Sequence, residues 1–123
     1  MTLYELARII LLLNHHPISK VRFSRTIYFT HKELFRKKFM KIEDIAYVRS
    51  PLGPIPQGFL SLAHDYAEIV VKHNPTTSLS YATEEYAISP NPESEDETSM
   101  LEQYREILAA VEHTLGALQE YST

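Results

Sequence analysis

The stretch Pro51-Leu52-Gly53-Pro54-Ile55-Pro56 lies near the middle of a 123-residue chain and decides how its two halves are joined. Three prolines in six residues fix much of the backbone, and Gly53 supplies the freedom the others lack. Pro56 suits the first position of a helix, where a fixed φ helps and a missing N–H costs nothing. Phe59, Leu62, Ala63, Tyr66, Ile69 and Val70 then recur at helical spacing, which predicts a third helix from about Pro56 to the stop His73-Asn74-Pro75. Ile55 would be its N-cap, a poor one, so the amides of Gln57, Gly58 and Phe59 need other acceptors. A partner's carboxylate could supply one, since a helix start favours anions; water or another residue of the chain is the simpler expectation.

Upstream of the turn, Thr2-Leu3-Tyr4-Glu5 has the form of a capping box. Leu3, Leu6, Ala7, Ile10 and Leu13 follow at helical spacing, widened by Ile9, Leu11 and Leu12, as in a central helix that ends before Pro17. Ser19 is a good N-cap for a second helix to about Lys38. That helix carries Phe23, Ile27 and Leu34, with Tyr28, Phe29 and Phe35 beside them and Lys20, Arg22, Arg25, Lys32 and Arg36 interleaved. Between Ile42 and Val48, Ile45 and Tyr47 can share one face of a short strand.

Downstream, Leu79 with Tyr81 and Tyr86 with Ile88 alternate with polar residues, a plausible small hairpin. Residues 89–96 read as a loop by composition. A long acidic helix is expected from about residue 98 to 120, with Leu101, Tyr104, Leu108, Val111, Leu115 and Leu118 at heptad spacing. Fewer than three heptads specify a coiled coil weakly, so the stripe is expected to cover the chain's own core; a homodimer or partner seam is the alternative. The fold class is α+β, mainly α: a single domain over 1–123 with about four helices and a small antiparallel sheet or hairpin.

Composition narrows the function. The chain has no cysteine, which removes disulfides and thiolate chemistry and fits a reducing compartment. The apolar run Ile9–Leu13 is far shorter than the ~20 residues of a membrane span, and no secretory leader is evident. A cytoplasmic location is the expectation. Net charge is −4, but it is divided. Lys20 to Arg49 holds nine cations and three acids, whereas Glu84 to the end holds ten acids and only Arg105. Such fields govern partners and association rates.

The six histidines show no HExxH and no i,i+4 pair, so no metal or cofactor is expected. There is no GxSxG elbow and, with three glycines in all, no phosphate loop. Asp65 and Glu68 after His64 read as the wet face of the third helix. The aromatic-flanked basic helix could contact nucleic acid, though a pI near 5.8 argues against it.

Three segments carry a resemblance: Arg25-Thr26-Ile27-Tyr28-Phe29 in the basic helix, Ile45-Ala46-Tyr47-Val48, and Gly53-Pro54-Ile55-Pro56 with Phe59 following. In this order and spacing they resemble the Panacea domain, the SocA-like antitoxin family, over about two-thirds of the chain. Arg25 stands where lysine is usual and Ile55 where valine is. The resemblance implies a protein-binding role without catalysis: an antitoxin that neutralises a cognate toxin, or an adaptor that delivers the toxin to a protease. The residues expected to meet the partner are Arg25, Tyr28, Lys32, Tyr47, Arg49, Gly53, Pro54 and Phe59. A nucleic-acid-binding regulator using the same basic helix is the runner-up.

Overall fold

A computed structural model describes residues 1–14, 16–51, 53–73, 84–88 and 105–121. Among the described residues four α-helices, one of them a single turn, combine with two small antiparallel sheets, so the fold is α+β and mainly α.

Helix α1 (Leu3–Asn14) starts where the Thr2 hydroxyl accepts the Glu5 amide at 3.2 Å. It buries Leu6, Ala7, Ile9, Ile10 and Leu11, the broad apolar surface expected of a central helix. Strand β1 (Ile18–Ser19) leads directly into α2 (Lys20–Arg36). Ser19 is the N-cap of α2, its Oγ accepting the Arg22 amide at 3.3 Å. Helix α2 closes with Lys38 in the left-handed region at φ 67°, and the Phe39 amide donates to the Leu34 carbonyl at 2.8 Å, a Schellman-type end.

After a 3₁₀ turn at Ile42–Asp44, strand β2 (Tyr47–Val48) pairs with β3 (Ile55–Pro56) across the proline turn. Tyr47 therefore lies on a strand as expected, while Ile45 precedes it outside the ladder. The expected long third helix is not formed. Pro56 ends a strand instead of opening a helix, and the Gln57 amide donates to the Ala46 carbonyl at 2.8 Å. That acceptor comes from the chain itself. Gly58, at φ 88°, then turns the backbone into a 3₁₀ turn (Phe59–Ser61) and the single turn α3 (Leu62–Asp65).

From Ile69 the chain is a strand, β4 (Ile69–His73), and β5 (Glu84–Ile88) lies between β1 and β4. Register runs from Ile69 opposite Ile88 to His73 opposite Glu84, with Ile18 opposite Tyr86 on the other side. The second strand of the expected hairpin thus stands at Tyr86 and Ile88, but its described partners are β4 and β1; Leu79 and Tyr81 lie outside the described residues. The β-branched run Ile69-Val70-Val71 explains why strand prevails over helix, since such residues lose rotamer freedom in a helix and pack well on a pleated surface.

Helix α4 (Arg105–Tyr121) packs mainly against α2 and also against α1. Ala110, Val111 and Thr114 are buried, so at Val111 the heptad stripe covers the protein's own core as expected. Leu101 and Tyr104, and the side chains of Leu108, Leu115 and Leu118, lie outside the described residues. The core joins Leu6, Ile9 and Ile10 of α1 to Phe23, Ile27 and Leu34 of α2, with Phe59, Tyr86 and Val111. Among the described residues no helix is long and apolar enough to cross a membrane.

Candidate partner-binding face

Helix α2 buries one face and leaves the other in water. Phe23, Ile27, Thr30, His31 and Leu34 point into the core, whereas Arg25, Phe29, Lys32, Phe35 and Arg36 are exposed. Phe29 and Phe35 keep 42% and 48% of their surface in solvent, far more than an aromatic core position would. The only ion pair among the described residues that joins the basic stretch to the acidic end is Lys20–Glu84, at 3.6 Å. Arg36 and Lys37 are held by Glu33 of their own helix. The Arg36 hydrogen bond and charge keep the Glu33 carboxyl below its ordinary range, outweighing the opposing effect of desolvation. Arg25, Lys32 and Arg49 make no ion pair with any described residue.

The proline turn packs beside this helix. The Gly53 amide donates to the Ser50 carbonyl at 3.0 Å, and the Ser50 hydroxyl donates to the Gly53 carbonyl at 2.7 Å, so the turn is closed from both ends. Gly53 has φ 106°, where side-chain-bearing residues are strained. No atom lies within 4 Å of where its Cβ would be. Gly53→Val is therefore expected to destabilise through backbone strain alone, by about 1–3 kcal/mol. Thermal melting of the variant checks this. A melting temperature equal to wild type would mean the turn tolerates another conformation.

Between α2 and the turn runs a groove of about 280 Å³. Lys20, Val21 and Ser24 form one wall, Ser50, Pro51 and Ile55 the other. Phe59 floors it, and Leu60, 65% exposed, stands at its rim. The lining is largely apolar.

Beneath the strand pair a polar link ties the turn region to α2. His31 Nε2 is 2.8 Å from the Lys41 carbonyl and Nδ1 is 2.8 Å from the Tyr47 hydroxyl. A carbonyl can only accept, so Nε2 carries the proton in the neutral ring and the Tyr47 hydroxyl donates to Nδ1. Tyr28 meets Tyr47 edge-on, with ring centroids 5.3 Å apart, and Phe29 at 5.4 Å.

Burial, and then Tyr28 beside it, push the Tyr47 phenol above its ordinary value. Burial, with Glu84 next, raises the Tyr86 phenol to about 12. A raised phenol pKa favours the folded state fully below the unfolded value near 10, and that contribution is lost as pH rises through the folded value. Alkaline unfolding is thus expected between pH ~10 and ~12, with phenolate absorbance and far-UV circular dichroism changing together. Tyr86→Phe should move the midpoint upward; an unmoved midpoint would rule Tyr86 out as a cause.

The expected partner residues divide accordingly. Arg25, Lys32, Arg49 and Pro54 are exposed, and Tyr28, Tyr47 and Gly53 are half-buried around the turn. Phe59 corrects the expectation: it is 1% exposed and belongs to the core, flooring the groove instead of projecting from it. Sequence reasoning missed His31 as the link to Tyr47, although Ile27, His31 and Leu34 sit at the spacing of one buried face. It also missed Leu60, whose exposure has no signature in the pattern. No protein family, no curated protein and no solved structure matches this chain.

Proposed function

We propose that this protein is a non-enzymatic, protein-binding module of the Panacea type: an antitoxin that neutralises a cognate toxin, or an adaptor that delivers it to a protease. The observation that carries this reading is the face where Arg25, Lys32 and Arg49, which no described residue pairs, accompany an apolar groove. Protein recognition uses that combination: apolar anchors fill pockets and surrounding charges set partner and orientation. The motif order Arg25–Phe29, Ile45–Val48 and Gly53–Pro56 adds the resemblance to the antitoxin family.

Co-expression with the product of the neighbouring gene tests the reading. That product should arrest growth alone, be tolerated in the presence of this chain, and co-purify with it. Arg25→Glu should abolish co-purification without changing the melting temperature. A neighbour that is harmless alone and does not co-purify would sink the antitoxin reading.

A nucleic-acid-binding regulator is the second reading, favoured by the exposed Phe29 and Phe35 among Arg25, Lys32 and Arg36, since aromatic rings beside cations suit base stacking. A net charge of −4 weighs against it. Tight duplex binding that falls steeply with salt would favour this regulator.

A further inference from the structure

The geometry points to one partner chemistry for this face: a short acidic segment that inserts a large apolar side chain between α2 and the proline turn. The inference rests on the protein-binding reading and names what that binding recognises. The groove's 280 Å³ falls just under the ~300–1,000 Å³ typical of small-molecule sites. A single Leu, Phe or Trp side chain matches it better than a cofactor does. Leu60 at the rim is already 65% exposed, and Val48, on the strand entering the turn, is 54% exposed. An apolar side chain seated there would remove the Leu60 surface from water, and Val48, opposite the groove residue Ile55, extends the apolar surface beside it.

Charge specifies the rest of the occupant. Arg25 follows the groove residue Ser24 on α2, and Arg49 precedes the groove residue Ser50 at the turn. Each wall thus has next to it in the chain an exposed arginine that no described residue pairs. Guanidinium groups bind carboxylates bidentately, so Asp or Glu on either side of the apolar anchor would complete the site. The groove's own polar groups are already engaged: the Ser24 hydroxyl donates to Val21, the Ser50 hydroxyl donates to Gly53, and Lys20 pairs with Glu84. Recognition therefore falls to the apolar lining and the two arginines.

The test is selection of a random-peptide phage library on the purified full-length chain, followed by anisotropy measurements on the synthetic consensus peptide. The expected consensus is one large apolar residue flanked by Asp or Glu. Its affinity should drop about tenfold or more in Arg25→Glu/Arg49→Glu, the loss expected when charge-assisted hydrogen bonds are reversed. It should drop similarly in Leu60→Asp and hold in Lys72→Glu, which changes an exposed cation on β4. These positions are exposed, and unchanged melting temperatures would verify that the variants fold.

A consensus without acidic residues, or equal binding by the double variant, would overturn the inference. So would displacement of the peptide by single-stranded oligo(dT) at lower concentration, which would give the face to nucleic acid. A dimer of the free chain that dissociates in the double variant would give the groove to a second copy, and equally overturn it. Peptide binding without growth rescue in the co-expression experiment would sink the antitoxin reading alone; rescue that survives the double variant would sink the groove alone.

Discussion

Phe59→Ala is expected to cost about 3–5 kcal/mol of folding stability, the range for deleting a fully buried aromatic ring. Three elements meet at this side chain. Its ring lies 5.4 Å from Phe23 of α2 and 5.3 Å from Tyr86 of β5, and those two rings are themselves 5.3 Å apart. Such aromatic contacts add about 0.5–1.5 kcal/mol per pair beyond the area they bury. Truncation would leave a void among a helix, a strand and a 3₁₀ turn, and collapse on any one side would disturb the other two. Against a total of about 5–15 kcal/mol, the loss is a large share of the protein's stability. It should appear as a lower urea midpoint with an unchanged slope. Phe59→Leu, which keeps an apolar groove floor and loses less volume, should cost far less. A loss below about 1 kcal/mol for Phe59→Ala would mean that the ring contributes little to the core. Because Phe59 also floors the groove, the alanine variant should weaken partner binding, but only alongside its loss of stability. Arg25→Glu should separate the two, sparing stability and reducing affinity.

The local signals in the sequence were sound wherever one segment could satisfy its own backbone. Ser19 caps α2 as its side chain suggests, and α1 buries the broad face that its apolar residues describe. The segment after Pro56 departs from the helix its spacing predicts because two periodicities overlap in it. Phe59, Leu62, Ala63 and Tyr66 do lie at helical spacing, yet Ile69-Val70-Val71 is a β-branched run whose partner strand begins eleven residues beyond β4, at Glu84. Hydrogen bonds to a distant strand are invisible to a local window, and they decide such an ambiguity. The amide of Gln57 makes the same point: the poor cap at Ile55 correctly flagged an unusual backbone, but its acceptor at Ala46 became evident only once β2 and β3 paired. As for the site, the cations and the turn were legible as types of residue. The groove was not, since its two walls are about thirty residues apart in the chain and meet only in the fold.

His31→Ala is the second large effect expected, about 2–4 kcal/mol, because it opens a cavity and strands the Tyr47 hydroxyl. His31 is 3% exposed and holds the Tyr47 hydroxyl at one nitrogen and the Lys41 carbonyl at the other. Both partners belong to the segment that runs from the end of α2 to the proline turn, so one ring fastens this crossing chain to the helix. Alanine leaves a cavity and a phenol without an acceptor, in a region where burial already raises the Tyr47 phenol, while the Lys41 carbonyl keeps only the Asp44 amide. Tyr47→Phe removes only the hydroxyl and leaves Nδ1 unpaired, so a smaller loss of about 1–2 kcal/mol is expected. The two residues share one hydrogen bond, so the double variant should lose less than the sum of the singles, a coupling of about 0.5–3 kcal/mol. Strict additivity in urea melts would show that the bond contributes nothing. The functional consequence follows from position: Tyr47 begins the strand that carries Val48 toward Arg49 and the turn. Loosening it should blur the groove wall and weaken peptide capture even though neither His31 nor Tyr47 lines the groove. Restoring stability with osmolyte should recover part of that affinity in His31→Ala and none in Arg25→Glu/Arg49→Glu, which separates residues that hold the face in place from residues that touch the partner.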